Sequence, residues 1–436
     1  MSFSIIILAA GKGTRMNSNI PKVFHKVGNL PMIFHVLNVS KLLKPKTISM
    51  VISKELDTYK DDIKKKYKNV KFVVQGQQLG TADAVRCAIL EKPIASSKVS
   101  LILYGDTPLI SYKSLSKSLE NFKKTNSDLC VLSMTPPNKN HSYGRLLTKK
   151  SRLEKIIEKS ELKNNQHYEN LCNTGIMLVN TKHLIEKLKE IKNKNSKKEF
   201  YLTDIVEILN NENYKVSHLE FPYHEFLGVN DKSDQAIVEN EFQKIFRKKF
   251  LKQGVSLIDP NSVFFSTDTK IGKDVIIHPN VYFGSNVKIG NNVEIKGFCH
   301  IENTIIEDRA SIGPFARLRD ETKIDKEAKI GNFVEIKKSN IKTNVKVSHL
   351  SYIGDASIEK NSNIGAGMIT CNYDGLKKNK TFIGENCFIG SNTSLIAPIK
   401  ISKNSIIGAG TVIDKNIPEG TTVYRKSELI KKNNKK

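Results

Sequence analysis

Apolar positions follow two unrelated rhythms along the chain. Up to about Asn230, short apolar runs at positions 5–10, 48–52, 72–74 and 99–104 alternate with amphipathic stretches, the pattern of buried strands separated by helices. That alternation predicts βαβ units on a mostly parallel sheet, a Rossmann-like α/β domain. Between positions 234 and 253, Ala236, Ile237, Phe242, Ile245 and Phe246 fall at helical spacing, and Gly254 follows. This predicts a helix that links two domains.

From about Val263 an aliphatic residue recurs at every sixth position. Ile271, Ile277, Ile289, Ile295 and Ile301 form one run, with Phe283 filling its gap. Ile312, Leu318, Ile324, Ile330 and Ile336 form a second, and Ile383, Ile389, Leu395, Ile401, Ile407 and Ile413 a third. No helical period produces this, whereas a coil of three short strands with one inward aliphatic residue per strand requires it. The second part of the chain is therefore predicted to be an all-β, left-handed parallel β-helix of hexapeptide repeats. Gly272, Gly290, Gly313, Gly331, Gly354, Gly365, Gly384, Gly390 and Gly408 follow the aliphatic positions, and are expected at corners whose backbone angles favour glycine. The rhythm breaks between Ile364 and Ile383, around Cys371-Asn-Tyr-Asp-Gly375, so a loop should protrude there. The expected division is a domain over residues 1–232, a linker helix over 233–254 and the β-helix over 255–436, with a disordered basic tail from Lys431.

Composition narrows the function. Seventy Lys and Arg against 44 Asp and Glu give a net charge of +26, which is compatible with polyanionic substrates, nucleic acid or an anionic membrane surface. The lysines are spread over the whole chain, so neither a nucleic-acid patch nor a membrane-binding face is expected. The six cysteines form no C-x-x-C pair or zinc-ligand spacing, which points to a reduced, cytoplasmic setting. No run approaches the roughly 18 apolar residues of a membrane span, and the apolar opening lacks the basic lead of an export signal.

The candidate chemistry begins at Leu8-Ala-Ala-Gly-Lys-Gly-Thr-Arg-Met16, followed by Pro21-Lys22. Backbone N–H groups in a glycine turn can approach phosphates, and Arg15 and Lys22 can neutralise them. Neither the dinucleotide G-x-G-x-x-G spacing nor the Walker G-K-[ST] ending is present. The segment resembles the signature of sugar-phosphate nucleotidyltransferases. Together with Gln75, Leu79-Gly80-Thr81, Tyr104-Gly105-Asp106, Tyr143-Gly144-Arg145, Glu158, Asn173-Thr-Gly175 and Gly228-Val-Asn230, it resembles one family in particular. That family comprises the bifunctional N-acetylglucosamine-1-phosphate uridyltransferases and glucosamine-1-phosphate acetyltransferases, and the resemblance covers nearly the whole chain. It implies that Leu8, Ala9, Ala10, Gly11, Lys22, Gln75, Gly80, Thr81, Tyr104, Gly105 and Asp106 hold UTP, with Gln75 selecting uracil. Gly144, Glu158 and Asn173 would hold the sugar, and Asp106 and Asn230 would bind Mg²⁺, a hard cation suited to oxygen ligands and phosphates. Arg15 and Lys22 would serve the transfer itself by neutralising charge. In place of the Gly-His pair frequent in the family after Gly-Thr, this chain has Ala82-Asp83.

The second half carries Ala316-Arg-Leu-Arg319, the segment from Gly331 to Lys338, His349-Leu-Ser-Tyr352, Asn363-Ile-Gly-Ala-Gly367 and Cys371-Asn-Tyr-Asp-Gly375, which resemble the acetyltransferase half. Arg319 and Lys337 lie 18 positions apart, three hexapeptides, and so stack on one face of the coil as a phosphate site. The resemblance implies that Arg319, Lys337, Tyr352 and Asn363 bind glucosamine-1-phosphate, that His349 is the general base toward its amine, and that Asn372 orients the reaction. Ala366, Asn372, Tyr373, Ser391 and Ala409 would hold acetyl-CoA, with a terminal cation, either Arg425 or Lys426. Met368 stands where the family often has threonine. Homotrimers are implied, as are small-molecule substrates only: glucosamine-1-phosphate, acetyl-CoA, UTP and N-acetylglucosamine-1-phosphate. The competing readings are a nucleotidyltransferase for another sugar whose β-helix only assembles it, and a catalytically inactive scaffold.

Overall fold

The computed structural model describes residues 2–89, 92–138, 141–149, 152–162, 168–426 and 432. The expected disorder of the tail from Lys431 concerns residues that, apart from position 432, lie outside this set. The chain forms two compact units, Met1–Phe242 and Gln243–Lys436, and the division falls inside a 21-residue helix, Lys232–Lys252.

In the first unit the strands of the large sheet are β1 (Phe3–Leu8), β2 (Ile48–Ile52), β3 (Val70–Val74), β4 (Val99–Tyr104), β5 (Leu129–Met134), β6 (Arg145–Lys149), β7 (Arg152–Ile157), β8 (Cys172–Asn180) and β9 (Val216–Glu220). Their order across the sheet is β9-β5-β8-β4-β1-β2-β3, with β6 and β7 attached beside β8. Strands β1 to β4 run parallel to one another, as the buried apolar runs predict. β8 runs antiparallel to both β4 and β5, which makes the sheet mixed. Ile5, Ile7, Met50 and Leu101 face one apolar layer, and Ile6, Leu8, Val51 and Ile102 face the other. The strands are therefore apolar on both faces. The chain leaves β1 for β2 on one side and later returns to β4 on the other, so the connections diverge at β1. The crevice beyond the C-terminal ends of β1 and β4 is where such sheets bind ligands.

The second unit is the predicted left-handed parallel β-helix, with two- to four-residue strands in three parallel sheets of ten, eight and eight strands. Its interior is a column of aliphatic side chains that includes Ile277, Ile295, Leu318, Ile336, Ile353, Ile389 and Ile407. Each such side chain contributes about 1.5–3 kcal/mol by leaving water. The column also explains why the hexapeptide runs come apart. Ile301 is followed by Ile306, Ile336 by Ile341 and Ile353 by Ile358 in the buried core, so three sides of the coil are five residues long. Where one occurs the register between coils drops from 18 to 17, as with Lys288 opposite Ile305.

The glycine expectation needs correction. Of the nine glycines named above, only Gly313 has positive φ, at 89°. The left-handed corners are held instead by residues such as Asn286, Asn292, Asn344, Asn361, Asn386 and Asn404, and by Phe298, Phe315 and Phe333. Asn tolerates this region better than most residues, and the Asn344, Asn361, Asn386 and Asn404 amides bond to one another down the stack at 3.1–3.2 Å. Most of the glycines are required by the close approach of the next coil. A Cβ on Gly272 would lie 2.6 Å from the Gly290 oxygen, and one on Gly365 would lie 2.5 Å from the Ser391 nitrogen.

Candidate active sites

A cavity of about 580 Å³ opens at the C-terminal ends of β1 and β4. It is lined by Leu8, Ala9, Ala10, Gly11, Arg15, Lys22, Gln75, Gly80, Thr81, Tyr104, Asp106 and Asn230, all singled out from the sequence. The glycine turn leaves β1 through Gly13 at φ 62° into a short 3-10 helix, Thr14–Met16, on which Arg15 is exposed. Lys22 Nζ forms an ion pair with the Asp106 carboxylate. The Val229 N–H donates to the Asp106 carbonyl at 3.0 Å, which brings Asn230 to the end of β4. One carboxylate and one amide carbonyl, the first already holding a cation, form a donor set that fits Mg²⁺ shared with substrate phosphates.

Gly80, at φ 119°, allows the chain before helix Thr81–Ile89 to run against Phe200. The Phe200 N–H donates to the Leu79 carbonyl at 2.7 Å and the Ala82 N–H to the Phe200 carbonyl at 2.9 Å. A Cβ on Gly80 would meet the Phe200 oxygen at 2.6 Å. Gly105 is buried where a side chain would press on Ile33 and Ala9, so it serves packing behind the cavity.

Gly144, Glu158 and Asn173 do not line the cavity but meet one another beside it. The Asn173 N–H donates to the Gly144 carbonyl at 2.9 Å, and a Cβ on Gly144 would stand 3.4 Å from Glu158 Oε2. Burial raises the Glu158 carboxyl, against the opposing pull of a 2.9 Å hydrogen bond donated by Thr203. Burial, with the Glu158 and Asp106 carboxylates adding to it, pushes the Tyr104 phenol well above its ordinary value, so it remains a donor. Sequence reasoning missed Gln78, whose Nε2 donates to the Ala10 carbonyl at 2.5 Å, and the place of Tyr143, whose hydroxyl accepts from the Gly228 N–H at 3.2 Å.

In the β-helix, Arg319 and Lys337 are register partners on adjacent coils, and Gly354 follows on the next. Arg319 donates to Glu335 at 2.7 Å and to Asp320 at 2.8 Å, with Lys337 Nζ 3.8 Å from the same Asp320 carboxylate. Lys378, from the protruding loop, lies beside them, and the Lys337 ammonium holds it below the ordinary lysine range. Gly354 makes room here, since a Cβ would lie 2.6 Å from both the Tyr352 hydroxyl and Asn372 Nδ2. Asn372 is buried and donates to Asp355 at 2.6 Å.

His349 is exposed, and its Nδ1–H donates to Asn332 Oδ1 at 2.5 Å, one coil earlier in register. In the neutral ring this contact places the proton on Nδ1 and leaves the lone pair on Nε2. The Gly367 N–H donates to the His349 carbonyl, the Asn392 N–H to the Ala366 carbonyl at 2.7 Å and the Gly410 N–H to the Ser391 carbonyl at 2.8 Å. Ala366, Ser391 and Ala409 thus continue, coil by coil, along the corner that begins at His349. Tyr373 is exposed in the loop, and its hydroxyl donates to the Gly375 carbonyl at 2.6 Å. Asn363 stands in register between Lys346 and Phe388, in the sheet of His349 and apart from Lys337. Arg425 lines a shallow hollow with Tyr424 and Ile413, and Lys426 is exposed.

Nucleotidyl transferase sequences match residues 4–223, bacterial transferase hexapeptides residues 268–303, and the hexapeptide repeat of succinyl-transferases residues 380–415. The bifunctional protein GlmU of Wolbachia pipientis is 41% identical over 430 residues, 98% of each chain. Its counterpart in Paramagnetospirillum magneticum is 41% identical over 98% of this chain and 94% of its own. The chain belongs to the GlmU family.

That of Thermosipho africanus, at 42% identity over 95% of this chain and 93% of its own, places a third GlmU beside it. As a GlmU-family protein the chain is a bifunctional enzyme, with a nucleotidyltransferase in its first unit and a hexapeptide acyltransferase in its second. Both readings that left the β-helix or the whole chain without chemistry are thereby set aside. One further cation, Lys378, and one further amide, Asn332, were also missed from the sequence and had different visibility. Asn332 precedes His349 by one 17-residue coil and was open to register arithmetic, whereas Lys378 sits in the loop where the repeat stops.

Proposed function

We propose that the chain makes UDP-N-acetylglucosamine from glucosamine-1-phosphate, acetylating it in the β-helix and uridylating the product in the α/β unit. The observation that carries this reading is the placement of Arg319 and Lys337 on one face of adjacent coils, with Lys378 of the protruding loop beside Lys337. Cations gathered in this way, beside Asp320 and Glu335, offer charge-assisted contacts to an anion such as a sugar phosphate. Tyr352 and Asn363 bind the sugar, and the corner through Ala366, Ser391 and Ala409, with Asn372, Tyr373 and one of Arg425 and Lys426, holds acetyl-CoA. The substrate amine attacks the thioester carbonyl while His349 Nε2 takes its proton. The C–N bond forms, the C–S bond breaks, and the departing coenzyme A thiolate takes the proton from the His349 imidazolium to leave as the thiol. Asn332 keeps the imidazole in the tautomer that can accept that proton.

In the α/β unit a phosphate oxygen of N-acetylglucosamine-1-phosphate attacks the α-phosphorus of UTP, and the bond to the departing pyrophosphate breaks. Arg15 and Lys22 neutralise the phosphates and hold them in line, so no protein nucleophile is needed. Asp106 and Asn230 would hold Mg²⁺, which supplies further charge neutralisation when bound. Gln75, Gly80 and Thr81 hold the nucleoside, and Glu158, Asn173 and Gly144 the sugar.

A homotrimer is part of the proposal. It is supported by a ladder of stacked rings, Phe298, Phe315 and Phe333, spaced 4.9 Å apart and 56%, 44% and 54% exposed, a surface that a second copy would cover. A cytoplasmic location agrees with six free thiols and with the absence, among the described residues, of any helix long and apolar enough to cross a membrane. The test supplies purified protein with glucosamine-1-phosphate, acetyl-CoA, UTP and Mg²⁺ and follows coenzyme A and pyrophosphate separately. Pyrophosphate should appear only after acetylation. Its release from glucosamine-1-phosphate at the full rate without acetyl-CoA would contradict the order.

A further inference from the structure

The departure at Ala82-Asp83 lies at the start of helix Thr81–Ile89, between Thr81 and Ala84, which line the nucleotide cavity. Gln75, only 4% exposed, reaches this helix and donates both of its amide hydrogens there. Nε2 lies 2.7 Å from Asp83 Oδ2 and 3.2 Å from the Gly80 carbonyl. A carboxylate and a carbonyl can only accept, so their joint contact with one atom fixes which end of the amide is nitrogen. Asp83 stands in the first turn of its helix, where the helix dipole favours a negative charge. The other polar atom of the amide, Oε1, accepts no hydrogen bond among the described residues, and Gln75 lines the cavity. It is the atom left to meet a base.

We infer that Asp83 is a positioning residue for nucleotide choice: it locks the Gln75 amide so that only a carbonyl oxygen faces the bound base. This rests on the uridyl-transfer reading of the cavity and adds to it a residue through which the choice is enforced. An oxygen at that place is matched by the imino N3–H of uracil. Cytosine offers a lone pair at N3, and two acceptors would then face each other with neither partnered. A free glutamine could turn its amide over and offer Nε2 to cytosine; the locked one cannot. Discrimination through a buried polar atom left unpaired is stronger than discrimination through shape alone. The Gly80 carbonyl contributes a second, weaker restraint, since it is the longer contact.

The experiment measures kcat/KM for UTP and for CTP with N-acetylglucosamine-1-phosphate, in the full-length chain and in Asp83→Asn and Asp83→Ala. The UTP/CTP ratio should fall about tenfold in Asp83→Ala, the scale of one hydrogen bond to a charged group. Asp83→Asn should give an intermediate ratio, because its amide oxygen still accepts from Gln75 in one of two orientations. Most of the change should appear in KM. Thermal melts of both variants identify a folding defect, and the isosteric Asn variant carries the test if the Ala variant melts early. A ratio within twofold of the parent in both variants, or equal losses with UTP and CTP, overturns the inference while leaving uridyl transfer intact. A parent chain that releases no pyrophosphate from UTP overturns the uridyl reading and this inference with it.

Discussion

In the α/β unit, Leu8, Gln75, Asp106 and Asn230 reach one cavity because the strand order diverges at β1, whereas in the β-helix Arg319 and Lys337 meet because they are one coil apart. The first site depends on topology and the second on counting. A substitution in the first can act on any of several distant segments that share the cavity. In the β-helix each coil contacts only its neighbours, so an effect should stay within a coil or two.

Several changes sharpen this contrast. The largest effect is expected from His349→Ala, which removes the proton acceptor and should lower acetyl transfer by roughly 10² to 10⁴. Steady-state coenzyme A release checks it, and near-normal turnover would remove the histidine from the mechanism. Arg319→Ala removes a phosphate contact made in ground and transition states alike, so KM for glucosamine-1-phosphate should rise about tenfold or more with kcat nearly held. A fall in kcat alone would place Arg319 elsewhere in the reaction. Gly331→Ala puts a methyl group onto the Ser348 carbonyl of the next coil, and should cost about 1–3 kcal/mol of stability by overpacking. Thermal melting measures the loss, and an unchanged melt would mean the coils can separate at no cost. Cleavage near Gly254 should have the smallest effect, leaving each activity close to its starting value, because each motif set belongs to its own unit. Uridyl transfer lost from a well-folded fragment ending there would break the comparison.

The same contrast governs what was legible in the sequence. The β-helix announces itself because every sixth residue is aliphatic, and the stacking of Arg319 on Lys337 follows from their separation. The five-residue sides at Ile306, Ile341 and Ile358 blur the count, since the interior still receives one aliphatic side chain while the register shifts. Glycine was visible but misjudged: its place in the repeat reflects contact between coils, which a one-dimensional pattern does not carry, and the turning falls to Asn286, Asn344 and their equivalents. In the α/β unit the strands were legible as apolar runs, and the motif residues as a glycine turn with cations. That Gly144, Glu158 and Asn173 form a group beside the cavity was not, because it depends on β8 running antiparallel to β5 and carrying β6 and β7 at its edge. Nor was the bond from Gln75 to Asp83, which joins a strand end to the next helix.

The central claim is that two chemistries occupy two separate sites, and Asp106→Ala tests it most directly. This change removes the carboxylate that pairs with Lys22 at the end of β4 and that would hold Mg²⁺. Pyrophosphate release from UTP and N-acetylglucosamine-1-phosphate should fall by about 10² or more, while coenzyme A release from acetyl-CoA and glucosamine-1-phosphate stays at the parent rate. Parallel loss of both activities in a variant that melts normally, or full retention of uridyl transfer, would contradict the account.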